Sequence, residues 1–291
     1  MPSQDYEETR ERLRRIFDKQ LFFIIGVAKS GTTWLELLLD AHLEIACKGE
    51  AHFGDVLRQS FREALNDYNA RLKEVGGHTN EMRYDARDHD HLMITGIGLM
   101  YAKWADDPAI RCIGEKTPAH LRTMPLLNRY FPEAKFIHII RDGRDAAVSG
   151  WFFNVKRNPA AAKSEFGDLA GFVRYFAGSW AEKVQSAREF AETLGDRYLE
   201  LRYEQLVGDP EAEVVRMLDF LGADAAPAAV AKCLEGSRFD KLAGGRKPGE
   251  EDAASFYRKG VVGDWQNHFD NADVAAFEES AGALLKELGY E

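Results

Sequence analysis

The residues best suited to chemistry form one short polar loop near the start of the chain: Lys29, Ser30, Gly31, Thr32 and Thr33. The apolar run 21–27 precedes this loop, and apolar positions with helical spacing follow it, so the pattern predicts a strand, a loop and a helix. The free backbone amides at the start of such a helix point towards the loop. Lysine, hydroxyls and amides together suit a phosphate group, although hydroxyl residues at this place also serve as plain helix caps.

The order of residues in this loop differs from the phosphate-binding loop of nucleotide triphosphatases. That motif ends in Gly-Lys-Ser/Thr, whereas Lys29 here precedes Ser30 and Gly31. The pattern therefore favours a phosphate ester other than a nucleoside triphosphate.

Strand, polar loop and helix recur along the chain. The predicted strands are separated by helical stretches and cover 21–27, 45–47, 111–114, 135–140 and 198–203. This alternation predicts an α/β fold with a central parallel sheet flanked by helices and joined by right-handed crossovers. Ligands of such sheets bind at the carboxyl ends of the strands, which here carry Lys29, Lys116, Arg141 and Tyr203. The order of the strands does not follow from the pattern.

We predict a solvated helix over residues 1–20, because Glu, Arg and Asp dominate this segment, and a single domain over residues 21–291. Within that domain, the composition shifts to Gly and charged residues from 236 to 263. Long segments of this kind often cover a binding site, so we expect a lid over cofactor or substrate. The last predicted helix covers 272–288.

Composition and charge limit the classes of partner. The chain of 291 residues is 45% hydrophobic and carries a net charge of −10, which argues against broad binding to nucleic acids or anionic membranes. An anion site must then be a local basic pocket. The three cysteines are far apart and outside metal-ligand spacing, and no apolar run reaches the roughly 20 residues of a membrane span. The first residues are too charged for a signal peptide. We expect a cytoplasmic protein.

Three motifs, in order along the chain, resemble those of sulfotransferases that use 3′-phosphoadenosine 5′-phosphosulfate (PAPS). Residues 28–34 are similar to the family's loop for the 5′-phosphosulfate, with Ala28 where proline is usual. Residues 140–149 are similar to its 3′-phosphate motif, and residues 258–265 match its late R-K-G-x-x-G-D-W motif. The resemblance extends from Phe22 to Trp265 and implies a single-domain, P-loop nucleotide-kinase-like fold.

The resemblance also implies a cofactor site with two basic ends. Its 5′ end is the Lys29 loop, and its 3′ end combines the two later motifs. Tyr203 and Phe239 resemble the family's contacts to adenine, with a place in the core as the alternative for each. Trp34 likewise either stacks on adenine or packs in the core. The residues implied for cofactor binding are Lys29, Ser30, Gly31, Thr32, Thr33, Trp34, Arg141, Ser149, Tyr203, Phe239, Arg258, Lys259 and Gly260.

The general base is implied by a different branch of the family. The cytosolic small-molecule branch places a histidine after a Lys-Thr pair, but Pro118 follows Lys116 and Thr117 here. The loop 50–55 instead resembles the glutamate loop of heparan sulfate 3-O-sulfotransferases, and 40–50 resembles the tyrosylprotein branch. This resemblance implies Glu50 as the base. The supporting polar residues would be His52 and Asp55, the second cation would be Lys116, and the rivals for the base are Glu115 and His120.

We therefore expect an enzyme that transfers a sulfuryl group from PAPS to a hydroxyl, or an amine, of a small-molecule or carbohydrate acceptor, leaving 3′,5′-diphosphoadenosine (PAP). We expect no required metal, since the sulfuryl group carries less charge than a phosphoryl group and no carboxylate cluster with Mg²⁺ spacing is evident. The aromatic run 151–153 and the segment 154–166 are expected to line or cover the acceptor pocket. The alternative is a nucleotide kinase-like or non-catalytic phosphonucleotide-binding protein. The acceptor and the oligomeric state stay open.

Overall fold

The structure is a computed structural model, and it describes residues 4–76, 80–252, 255 and 257–290. Its centre is a parallel sheet with strand order β2-β3-β1-β4-β5. Every pair of neighbouring strands is parallel, which confirms the predicted fold class. The strands are β1 (Gln20–Ile25), β2 (Ile45–Gly49), β3 (Cys112–Lys116), β4 (Lys135–Ile140) and β5 (Tyr198–Arg202).

The central strand β1 is apolar along its whole length because both faces of the sheet are covered. Phe23 and Ile25 belong to the core on one face, and Phe22 and Ile24 belong to the core on the other. All four side chains are fully buried. An unbroken apolar run is therefore what this strand requires, and the run 21–27 predicted it.

Helices connect the strands and cover the sheet. Short turns of π or 3₁₀ helix lie at Phe53–Leu57 and Pro118–Arg122. The α-helices of the described residues are α1 (Gln4–Phe17), α2 (Thr32–Asp40), α3 (Arg58–Glu74), α4 (Ala86–Tyr101), α5 (Met124–Tyr130), α6 (Gly143–Arg157), α7 (Pro159–Phe166), α8 (Leu169–Ala191), α9 (Tyr203–Gly208), α10 (Pro210–Leu221), α11 (Pro227–Gly236), α12 (Phe239–Leu242) and α13 (Asn271–Glu287).

Two helices show features that the sequence pattern did not predict. Helix α4 begins at Ala86, where Asp85 and Asp88 form a reciprocal capping box. Helix α1 lies within the segment predicted as a solvated helix, and most of its side chains are exposed. Its Ile16, however, is fully buried, and the helix packs against α4.

The topology places the loop after β1 at the point where the chain reverses its direction across the sheet. From β1 the chain crosses to β2 and returns through β3, and it then continues on the other side of β1 with β4 and β5. A crevice forms at such a reversal, outside the carboxyl ends of the strands. None of the described helices is both long and apolar enough to cross a membrane.

Candidate active site

A cavity of about 580 Å³ lies at the carboxyl edge of the sheet. It brings together the ends of β1, β4 and β5, the loop after β2 (residues 50–52, the base loop), helix α12 and the segment that contains the late motif (residues 257–265, the late basic segment). The predicted site residues that line it are Lys29, Gly31, Thr32, Thr33, Trp34, Glu50, Arg141, Ser149, Tyr203, Phe239, Arg258, Lys259 and Gly260. Ser30, His52 and Lys116 are not among its lining residues.

The Lys29 loop turns sharply between β1 and α2. Its backbone is left-handed at Gly31, where φ is 98°, and also at Lys29, where φ is 73°. A Cβ atom at Gly31 would lie 2.7 Å from the ring of Tyr203, so only glycine fits between the turn and that ring. Helix α2 begins at Thr32, and the first amides of a helix have no partner within it. These amides are available to an anion in the cavity.

Lys29 carries its charge in a half-buried position. Its ammonium lies 4.4 Å from the centre of the Phe153 ring. Burial, together with the positive charge of Arg141, lowers the pKa of Lys29 to about 8, although the carboxylate of Glu50 opposes this shift. The lysine is thus a cation that a bound anion would stabilise further.

Ser30 lies beneath the loop and does not face the cavity. It is 1% exposed, and its amide donates to the carbonyl of Val27 at 3.1 Å. Its hydroxyl oxygen has no hydrogen-bond partner among the described residues. Ser30 therefore shapes the turn and keeps one unused hydroxyl next to the site.

Arg141 directly follows β4 and joins three parts of the site. Its guanidinium donates to the carbonyl oxygens of Lys29 at 3.3 Å and Val261 at 3.1 Å, and it lies 4.5 Å from the centre of the Tyr203 ring. The Nε of Arg141 is buried without a hydrogen-bond partner in the described part of the chain. Ser149 lies two turns further along α6 and also lines the cavity.

Acidic residues that are close in sequence neutralise the cations of the late basic segment. Arg258 pairs with Glu251 at 2.6 Å and with Asp264, and the ammonium of Lys259 lies 2.5 Å from Asp264. Burial opposes the charge of the Asp264 carboxylate, but hydrogen bonds from Lys259 and Arg258 outweigh it and hold its pKa well below the usual range. These pairs fix two cations at the rim of the cavity.

Gly260 and Asp145 fix the path of this segment. Gly260 has φ 65°, and a Cβ atom there would lie 2.4 Å from the ring of Phe239. The buried carboxylate of Asp145 accepts from the amides of Gly263 at 2.8 Å and Trp265 at 2.9 Å. The predicted lid segment is thereby anchored to helix α6, which also carries Ser149.

Glu50 lies on the loop after β2 and is held by a buried lysine. The ammonium of Lys116 donates to the Glu50 carboxylate at 2.6 Å and lies 3.3 Å from the carboxylate of Glu36. Lys116 is 3% exposed, whereas Glu50 is 45% exposed. Lys116 therefore supports the carboxylate from behind, and Glu50 presents it to the cavity.

His52 and Asp55 form a second polar pair beside Glu50. The Nδ1 of His52 lies 3.1 Å from the Asp55 carboxylate, and its Nε2 lies 3.8 Å from that of Glu50. Glu36 is a member of this network that the sequence reasoning missed. The only feature of the sequence that marks Glu36 is its position as an acid between the leucines of α2. Burial raises the pKa of Glu36, and the charge of Lys116 opposes this rise.

The aromatic run on α6 divides between the cavity and the core. Phe153 lines the cavity, but Trp151 packs against Phe172 and Phe152 packs against Arg258 and His268. Phe152 and Phe153 also line a small pocket next to Lys29 and Ser149. The three rings differ in their surroundings because successive residues of a helix point in different directions.

The parallel sheet, with the Lys29 loop at the point where the topology reverses, defines an α/β protein of the P-loop-like type. The model of the Sulfotransferase family matches residues 22–227, and the chain belongs to this family. It is 31% identical over 198 residues to Sulfotransferase 2A1 of Mus musculus, and the matched region covers 64% of this chain and 66% of that protein. It is 32% identical over 186 residues to a 3-alpha-hydroxysteroid sulfotransferase of Cavia porcellus, and the matched region covers 57% of this chain and 63% of that protein.

These matches span less than two thirds of the length of either relative. Among solved structures, the fold is similar to mouse sulfotransferase SULT7A1 complexed with PAP, with a TM-score of 0.59, 20% identity and coverage of 97% of this chain and 94% of that one. It is also similar to the sulfotransferase domain from the curacin biosynthetic pathway, with a TM-score of 0.55, 18% identity and coverage of 94% and 98%. At these identities the likeness concerns the fold.

Proposed function

We propose that the chain is an enzyme that transfers a sulfuryl group from PAPS to a hydroxyl of a small-molecule acceptor, with Glu50 as the general base. One observation carries the proposal. A single cavity is lined by the Lys29 loop, by Arg141 with Ser149, by the late basic segment and by Glu50. Family membership supports the reaction class, and this grouping of residues supports the donor.

The residues present suit a nucleotide with phosphate groups at two positions. The amides at the start of α2 and the ammonium of Lys29 would hold the 5′ end. Arg141, Ser149, Arg258 and Lys259 would hold the 3′-phosphate. The Nε of Arg141 has no hydrogen-bond partner among the described residues, and it is a donor suited to a phosphate oxygen. Tyr203 and Phe239 line the same cavity and would contact the adenine. When bound, PAPS would supply the activated sulfuryl group.

The roles of the remaining residues follow from their charges and exposure. Glu50 would accept the proton of the acceptor hydroxyl, because its carboxylate faces the cavity. Lys116 would hold that carboxylate in place. Lys29 would stabilise the negative charge that develops on the oxygens around the transferred group. No group of three or more His, Cys, Asp or Glu side chains arranged for a metal occurs in the described ranges.

We propose an apolar alcohol or phenol as the acceptor. The cavity that Glu50 lines is also lined by Phe153, Pro118 and Tyr257, whose surfaces suit an apolar ring. One relative is named as a 3-alpha-hydroxysteroid sulfotransferase, and a structure of similar fold is retinol dehydratase with retinol and PAP. A carbohydrate acceptor is the alternative that the assay must include. The three free, buried cysteines suit a reducing compartment such as the cytoplasm.

The deciding experiment compares ligands and then substrates. Calorimetry with PAP, 5′-AMP and ATP should show PAP as the tightest ligand, roughly 10- to 100-fold tighter than 5′-AMP, since a buried charged hydrogen bond is lost without the 3′-phosphate. Radiolabelled PAPS with steroid, phenol and saccharide panels should then give labelled sulfate esters. ATP binding as tight as PAP would contradict the sulfotransferase proposal. PAP binding without transfer to any acceptor would favour a non-catalytic nucleotide-binding protein.

A further inference from the structure

A buried acid and a buried imidazole lie directly behind the base loop. Glu115, in β3, and His120, in the 3₁₀ turn that follows β3, are each 1% exposed. The Nε2 of His120 lies 2.6 Å from one carboxylate oxygen of Glu115. Neither residue lines the cavity, so neither reaches an acceptor directly. Their burial requires a different explanation.

The second carboxylate oxygen of Glu115 holds the backbone of the base loop. It accepts from the amide of Ala51 at 2.8 Å and from the hydroxyl of Thr117 at 2.6 Å. Ala51 is the residue directly after Glu50. The position of the Glu50 backbone therefore depends on a carboxylate inside the protein.

Lys116 holds the same loop from the opposite side. Successive residues of a strand point to opposite faces of the sheet, so Glu115 and Lys116 approach the loop from different directions. Lys116 binds the side-chain carboxylate of Glu50, and Glu115 binds the peptide that follows it. Two contacts at different points restrict both the position and the orientation of Glu50.

His120 lies against the buried carboxylate of Glu115 and also packs against the loop. A buried carboxylate without a partner is strongly unfavourable, and the Nε2 of His120 is within ion-pair distance of the Oε2 of Glu115, while neither of these two atoms has a hydrogen bond among the described residues. The ring of Phe53, at the start of the π-helical turn after the base loop, stacks on the His120 ring with a centroid distance of 6.0 Å and an interplanar angle of 18°. The loop is thus attached to the Glu115–His120 pair by a hydrogen bond and by a ring contact.

We propose that Glu115 and His120 are positioning residues, which hold the peptide after Glu50 so that its carboxylate stays at the cavity. This inference rests on the proposed function in one respect, the role of Glu50 as the base. The contact between Glu115 and Ala51 can be measured without turnover.

The first measurement uses the unmodified protein. Hydrogen exchange read by NMR should show a protected Ala51 amide, because this amide donates to a buried oxygen. An Ala51 amide that exchanges as fast as an unstructured peptide would overturn the inference, whatever reaction the protein catalyses. Calorimetry with PAP on the same sample tests the proposed function separately.

The second measurement compares Glu115→Ala with Glu115→Gln. Glutamine keeps a carbonyl oxygen for Ala51, so Glu115→Gln should keep kcat within about threefold and keep the amide protected. Glu115→Ala should speed Ala51 exchange and lower kcat at least about tenfold, as for one lost buried hydrogen bond. The KM for PAPS and the Kd for PAP should stay within about twofold. Equal kcat for both variants and the unmodified protein would overturn the inference.

The matched control is His138→Gln. His138 is fully buried, contacts the hydroxyl of Tyr198 at 2.6 Å and lies in β4, away from the base loop. His138→Gln should lower the melting temperature and leave Ala51 exchange and kcat unchanged. His120→Asn covers the case in which Glu115→Ala fails to fold. It should lower kcat with unchanged Kd for PAP, and an unchanged kcat in a folded His120→Asn protein would contradict the role of the imidazole.

Discussion

The two sides of the cavity are built in different ways. The anion side consists of the Lys29 loop, the start of α6 and the late basic segment, and each of these is a continuous stretch of sequence. The base side consists of the loop around Glu50, and its shape depends on separate elements, since Glu36 lies in α2 and both Glu115 and Lys116 lie in β3. One side is defined by motifs and the other by contacts between distant residues.

The difference also concerns hydrogen bonds and charge. On the anion side the Nε of Arg141, a residue that lines the cavity, is buried without a partner in the described part of the chain. On the base side Lys116 has two carboxylate partners within 3.3 Å. The anion side thus keeps a donor for a ligand, whereas the base side is preorganised by the protein itself.

Loss of the Lys29 ammonium, on the anion side, should lower activity more than any other predicted change. Lys29→Met removes the positive charge that the proposed function places beside both the nucleotide and the transferred group. We expect kcat/KM to fall about 10⁴-fold, in the range seen for cations at transferring groups, and the Kd for PAP to rise. The control is Lys183→Met, because Lys183 is also half-buried but lies in α8. Lys29→Met with near-normal kcat/KM would show that the anion side carries no catalytic charge.

Glu50→Gln should change the function of the base side and leave that of the anion side intact. The amide cannot accept the acceptor proton, so kcat should fall about 10²- to 10³-fold. PAP should bind with unchanged affinity, as measured by calorimetry, because the anion side is intact. The matched control is Glu44→Gln, just before the start of β2 and at the other end of that strand from Glu50. Turnover that survives in Glu50→Gln would assign the base to another group.

The sequence predicts the anion side and the base side to different extents. The loop 28–34 contains its own signal, because its lysine, hydroxyls and helix start are adjacent in sequence, and Arg141 was predicted from its place at the end of a strand. Ser149 and the 258–265 motif were predicted through the resemblance to a family. The parallel sheet was likewise predictable from unbroken apolar strands such as β1. Strand order was not, since each strand reads as equally buried.

The base side could be predicted only through the resemblance to a family. Nothing near Glu50 in sequence indicates that Lys116, 66 positions away, would support its carboxylate. Glu36 is an acid in an apolar stretch, and only the fold shows that it faces Lys116. Glu115 looked like a rival base until its contact with His120 placed it inside the protein. Pairing between distant residues is set by the packing of elements, which a linear pattern does not contain.

The pH dependence of PAP binding tests the charge on the anion side. Since burial lowers the pKa of Lys29 to about 8, the lysine loses its proton as pH rises through this value. A bound phosphate raises that pKa, so the complex keeps a proton that the free protein has lost. The association constant for PAP should therefore fall above pH 8, by at most about tenfold per pH unit.

Calorimetry between pH 7 and pH 9.5, in two buffers with different heats of ionisation, measures this uptake of a proton. Lys29→Met should show no uptake in this range, whereas Lys183→Met should behave as the unmodified protein. An association constant of the unmodified protein that does not change from pH 7 to pH 9.5 would refute the assigned role of Lys29.

The smallest expected effect is a change in the affinity for PAP on removal of Glu251, a carboxylate that pairs with the late basic segment. Glu251 lies 2.6 Å from Arg258 and 3.8 Å from Lys259, so a phosphate that binds these cations must compete with it. Glu251 is 35% exposed, and partly exposed pairs of this kind are worth at most about 1 kcal/mol. Glu251→Gln should therefore tighten PAP binding about two- to fivefold, mostly at low salt. Glu7→Gln on α1 makes the same change of net charge away from the cavity and should leave the affinity unchanged. Weaker binding in Glu251→Gln would mean that Glu251 instead orients Arg258 for the phosphate, and the anion side would then be preorganised by a carboxylate in the same way as the base side.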